Sequence, residues 1–145
     1  MKLRSFAATA AAVAAVGAFS AAAPASAATA SGPYCSAGEG LSYDYSAAGA
    51  TLSFDVTCDG APLGSRGVSG YIDLAVVDNQ TGELHTFEAS DNATVDNGTT
   101  WSASLEVVTG LQDATLCSAH YRVAESNGNN APYVLARDVI VTGDC

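Results

Sequence analysis

Basic residues are scarce: the 145-residue chain holds five Lys and Arg against fifteen Asp and Glu, a formal charge of −10. That deficit argues against nucleic acid and anionic membrane surfaces as partners, because both require a basic face. Histidine is rarer still, with only His85 and His120. The four cysteines include no Cys-x-x-Cys pair and have no histidine pair nearby, which speaks against a zinc site and against dithiol redox chemistry. No Gly-x-Ser-x-Gly elbow is present to present a serine nucleophile. Apolar runs of membrane-spanning length are missing beyond the first thirty residues. What the chain does have is 48% hydrophobic residues, too many for a wholly disordered protein.

The N-terminus has three recognisable parts. Lys2 and Arg4 give a positive start, an apolar stretch covers 6–19, and Ala25-Ser26-Ala27 supplies small residues at a cleavage position. This is the pattern of a secretory signal peptide over 1–27. Residues 28–33 are small and polar, and read as a mobile arm ahead of one domain over 34–145. Removing the signal leaves three bases, Arg66, Arg122 and Arg137, against fifteen acids, a net charge of −12. Such a chain stays dispersed in a secreted medium and would favour a basic protein partner.

Alternation with period two dominates the remainder. Leu52, Phe54 and Val56 alternate with Ser53, Asp55 and Thr57, and Ile72, Leu74 and Val76 form the next apolar face. Trp101, Ala103, Leu105 and Val107 do the same, followed by the strands around Tyr121 and over 133–141. The expectation is an all-β fold, an antiparallel immunoglobulin-like β-sandwich of about seven strands. Its predicted core is Leu52, Phe54, Val56, Ile72, Leu74, Val76, Trp101, Leu105, Val123 and Ile140.

An even cysteine count in an exported domain implies two disulfides. Pairing 41–46 with 51–58 about a turn near Ala48 sets position 38 opposite Cys58 and leaves Cys35 close by. Pairing the strands that flank 127–130 sets Cys117 opposite 141–143, near Cys145. Local bridges Cys35–Cys58 and Cys117–Cys145 are therefore expected. The alternative is an inter-sheet Cys58–Cys117 bridge, but Tyr71 stands where the core Trp would be and Thr115 where the corner Tyr would be. Each bridge should contribute roughly 3 kcal/mol.

Chemistry finds few footholds. Both histidines read as solvent-facing strand residues. Asp91-Asn92 and Asp96-Asn97-Gly98 offer oxygen ligands, but their spacing does not match a calcium loop, and they read as a solvated hairpin loop. The triplets at Asn79, Asn92 and Asn97 that match the N-glycosylation pattern read as turns. No cofactor, metal or catalytic residue is assigned, and the chain reads as no enzyme. One loop does stand out: residues 59–70 join two strands, carry four glycines and hold Arg66. Pro62, Leu63, Ser65 and Arg66 are its candidate partner-binding residues, since recognition concentrates on loops of a rigid scaffold. An exposed Arg66 would suit a trypsin-like specificity pocket.

These features make a secreted, non-enzymatic protein-binding or adaptor domain the leading reading. The alternatives are a protease inhibitor using the 59–70 loop, or a small-molecule carrier similar to acidic two-disulfide apoproteins that hold antibiotic chromophores, though their short-range cysteine pairs differ from these. In its overall make-up the chain resembles the small adaptor subunit of secreted bacterial umbrella toxin particles. The shared features are an exported acidic chain of this size, all-β, cysteine-braced and led by a free N-terminal arm. That resemblance implies an adaptor between a lectin-bearing subunit with a trypsin-like domain and a long toxin-bearing stalk, with 28–33 and 59–70 as contact elements.

Overall fold

The computed structural model describes residues 32–143 and 145; the signal peptide expected over 1–27 and most of the arm lie outside the described residues. Eight strands follow in order: β1 (Cys35–Ala37), β2 (Ser42–Ser46), β3 (Gly49–Cys58), β4 (Ser65–Asp78), β5 (Leu84–Asp96), β6 (Thr99–Val108), β7 (Ala114–Asn127) and β8 (Asn130–Val141). All pairings are antiparallel. In one sheet β3 is central, with β6 on one side and β1 and β2 end to end on the other; the second sheet runs β5-β4-β7-β8. The result is the expected immunoglobulin-like sandwich, with the first sheet edge divided into two short strands.

The alternating residues face each other across the two sheets. Leu52, Phe54 and Val56 from β3 meet Ile72, Leu74 and Val76 from β4 and Val123 from β7, all buried. Trp101 is only partly buried and meets Phe54 edge-on, with ring centroids 5.1 Å apart. Ile140 does not join the core cluster, because β8 is an edge strand and cannot cover both of its flanks. Leu105, as expected, belongs to the cluster, together with Val68, Val95, Val107, Ala119 and Tyr121 among others.

The disulfides join Cys35 to Cys58 and Cys117 to Cys145, with no free cysteine among the described residues. The β2–β3 register, with Tyr43 opposite Leu52, would run on past Cys35 by two residues. The excursion at Gly38-Glu39-Gly40 absorbs that offset, and Cys35 falls directly opposite Cys58. At the other end Thr142 N–H donates to Cys117 O at 3.0 Å, which carries the β7–β8 ladder to Cys145.

Three expectations need correction. The 59–70 loop ends at Gly64, and residues 65–70 are already β4. Gly70 looks like a breaker in sequence but fills a packing role: a Cβ there would lie 2.4 Å from Phe54 Cζ. Second, Asp91-Asn92 and the Asn92 triplet are not loop or turn but lie inside β5, which alternates outward Glu88, Ser90 and Asn92 with inward Ala89, Ala93 and Val95. The Asn79 triplet does lie in the β4–β5 turn, and Asn97-Gly98 turns with Gly98 at φ 76° as the chain crosses between sheets. Third, His85 is not on the open face: it sits on the inward row opposite Val76, half-buried.

Candidate functional site

Residues 59–64 form a short, closely braced turn. Its base is Cys58, bridged to Cys35, and Asp59 N–H donates to Tyr34 O at 2.9 Å. Gly64 N–H donates to Ala61 O at 2.9 Å, which closes a β-turn over Pro62 and Leu63. Since every positive φ among the described residues belongs to glycine, Leu63 keeps a negative φ and the turn is of type I, with proline at the position that favours it. The neighbouring β5–β6 turn clamps it from the side. Asn97 receives Ala61 N–H on Oδ1 and donates Nδ2 to Ala61 O, both at 2.9 Å. Asn97 N–H also donates to Gly64 O at 2.8 Å, and Gly98 N–H to Cys58 O at 2.8 Å. Ala61 is buried beneath, while Leu63 at the apex is 89% exposed.

Arg66 leaves this turn altogether, and the expectation of an exposed arginine is corrected. It is the second residue of β4 and its side chain is 25% exposed. Nε lies 3.4 Å from Oε1 of Glu125, which is fully buried, and the guanidinium stacks 4.4 Å above the Tyr34 ring. The other Glu125 oxygen accepts Cys35 N–H at 2.9 Å. An uncompensated carboxylate at that depth would be costly, so Arg66 and the Cys35 amide are what make Glu125 tolerable. Together they fasten the β1 segment to the second sheet. A trypsin-like pocket would therefore have to extract Arg66 from its own fold. Ser65, half-buried opposite Asp96, belongs to the ladder rather than the apex. Of the four candidate residues, only Pro62 and Leu63 come together on the surface.

A second constellation occupies the outward face of the β5-β4-β7-β8 sheet. Tyr71 OH donates to Asp73 Oδ2 at 3.2 Å and to Glu88 Oε2 at 3.3 Å, and His120 Nδ1 lies 3.4 Å from the same Asp73 oxygen. Desolvation, then the charges of and hydrogen bonds to Asp73 and Glu88, push the Tyr71 phenol up to about 12. Tyr71 thus stays protonated between two carboxylates, and its single O–H proton can be donated to either of them. Farther along that face a groove of about 370 Å³ is lined by hydroxyl and amide side chains, among them Ser69, Asn92, Thr94 and Asn130, with no titratable group. Among the described residues no group of three or more His, Cys, Asp or Glu could hold a metal ion.

Sequence reasoning did not single out Glu125 or Asn97 for these roles. Glu125 ends an alternating strand and looks like any solvated terminus, and only its long-range partners reveal its burial. Asn97 reads correctly as a turn residue, but its clamp on Ala61 spans 36 positions. No family model matches the chain, and no curated protein does either. A β-glucuronidase from glycoside hydrolase family 2 has a similar region, at a TM-score of 0.35 and 11% identity, over 72% of this chain and 10% of that one. No helix among the described residues is long and apolar enough to cross a membrane.

Proposed function

We propose that this is an exported protein-binding module that uses the Pro62–Leu63 turn as its recognition element. The observation that carries the reading is the contrast within that turn: a leucine almost wholly exposed on a backbone held from three sides. A loop already ordered before binding loses little conformational entropy on binding, so more of the contact energy appears as affinity. Burying one leucine side chain against a partner contributes roughly 1.5–3 kcal/mol, about ten- to a hundredfold in affinity. Export follows from the signal-like N-terminus and accords with two disulfides. The adaptor role implied by the resemblance to umbrella toxin subunits is one specific form of this function.

The inhibitor alternative has less support. Its arginine is engaged internally, and the turn is tightly folded, whereas a substrate mimic presents extended backbone. The test is quantitative capture by tagged protein in its native culture medium, comparing Leu63→Asp with Gln80→Asp, a control at an exposed turn. Proteins retained by wild type and the control but lost by Leu63→Asp support the turn as the contact. Equal retention by all three removes it. Inhibition of a protease by wild type at near-stoichiometric ratio would replace the module reading with the inhibitor.

A further inference from the structure

A second surface, on strand β8, has its own chemistry. Arg122 on β7 and Arg137 on β8 are directly opposite and both exposed, and neither has an ion-pair partner among the described residues. Like charges placed opposite one another destabilise a sheet; the nearest carboxylates on that face, Asp73 and Glu88, are diagonal to Arg122 and hydrogen-bonded to Tyr71. Beside them on the same face stand Val139 and Val141, 58% and 71% exposed. β8 is the sheet's edge and, among the described residues, pairs only with β7. Val139 N–H does not enter that ladder; it donates to the adjacent Asp138 carboxylate at 2.8 Å. By alternation the N–H groups of Arg137 and Val141 also face outward.

Exposed edges are ordinarily blunted by proline, bulges or charge. Here Pro132 and both β7–β8 irregularities sit toward the hairpin end, leaving 136–141 straight and free of proline, so Arg137 and Asp138 are what blunt this stretch. The other edges differ. β5 turns Leu84, Glu88, Ser90, Asn92 and Thr94 outward, β6 turns Ser102, Ser104, Glu106 and Val108 outward, and the remaining edge is split into the short strands β1 and β2. Among the described strands, β8 alone joins a pair of arginines to a row of exposed valines.

We infer that β8 accepts an extended segment of a partner protein as an added strand, with a carboxylate set against Arg137 and Arg122 and apolar residues against Val139 and Val141. Strand addition supplies affinity through main-chain hydrogen bonds and specificity through alternate side chains. The matching pattern is apolar-x-apolar-x-acidic for an antiparallel guest. A second copy of this chain is the weaker occupant, since each carries a net charge of −10 and two would repel. Nucleic acid meets the same repulsion over its whole length. The surface is separate from the Pro62–Leu63 turn: the arginine row meets β4 at Tyr71, six residues from Ser65, about 20 Å along the strand.

The test titrates the oxidised, isotope-labelled protein with a capped peptide alternating Thr with Val, Val and Glu, made in both chain directions. Expected are saturable amide shifts over 136–141 and exchange at Arg137, Val139 and Val141 slowed by about tenfold. Replacing the peptide Glu by Gln should weaken binding by about tenfold. An Arg122→Glu, Arg137→Glu variant of unchanged melting temperature should lose the peptide and bind its Glu→Lys counterpart instead. Leu63→Asp should leave this binding intact, so failure here is distinct from failure of the turn. No binding at millimolar peptide, equal binding of the Gln peptide, self-association through β8, or saturable binding of duplex DNA abolished by the same variant would overturn the inference.

Discussion

Leu63 and Arg66 stand three residues apart and have opposite fates. Leu63 is apolar and faces water; Arg66 is charged and faces a buried carboxylate. Residue type alone would have assigned them the other way round. What decides is the backbone between them. Gly64 ends the turn at φ 79°, β4 begins at Ser65, and strand alternation then sends Arg66 toward β1. The comparison teaches that a glycine-rich segment carries two parts, a presented apex and a latch. Their substitutions should separate cleanly.

The sharpest way to break the comparison is Arg66→Glu. An arginine in an exposed loop would tolerate reversal, whereas here two carboxylates would face each other with Glu125 fully buried. Breaking a buried pair costs about 3–5 kcal/mol. Chemical denaturation should show a loss of that order, with Arg66→Met losing less because it adds no second charge. Gly70→Ala tests whether the segment's later glycines belong to packing or to flexibility. The added methyl meets the Phe54 ring, and overpacking of this kind costs about 1–3 kcal/mol, read as a lower unfolding midpoint. A flexible-loop glycine would show almost no change.

Smaller again is the clamp. Asn97→Ala removes two hydrogen bonds to Ala61, worth about 1–2 kcal/mol together. It should also speed amide exchange at Gly64, whose own bond closes the turn. Alkali probes the sheet faces outside the loop. Tyr43, raised mainly by burial and then by Asp73, and Tyr71 both sit at about 12 against 10.0 unfolded. The folded state binds these protons more tightly, so their contribution is whole below about pH 10 and is lost as pH rises toward 12. Phenolate absorbance from these two should lag until about pH 12, and Tyr71→Phe should remove one lagging step.

Much of this architecture was legible because half-buried strands write their register into the sequence. Leu52, Phe54 and Val56 against Ser53, Asp55 and Thr57 set which face of β3 is inward, and hairpin register then brought the cysteines near each other. Legibility ended where a residue's role depends on distant neighbours. Gly67 and Gly70 look like loop, yet one pairs with Thr94 and the other makes room for Phe54. Glu125 looks like a solvated strand end, yet it accepts a hydrogen bond from the Cys35 amide ninety positions away. The turn at Pro62 and Leu63 was legible as loop because turn chemistry is local, and Arg66 was misplaced because its partner is not.

The most direct measurement is the melting temperature and partner capture of Leu63→Asp, taken side by side in one preparation. With the side chain 89% exposed, the substitution should shift stability by less than about 0.5 kcal/mol, as for other surface positions. Placing a carboxylate where an apolar pocket had closed over leucine should reduce capture by at least about tenfold. Unchanged capture, or a loss of stability as large as that of Arg66→Glu, would contradict the account: the apex would then be a connector or part of the fold's own packing.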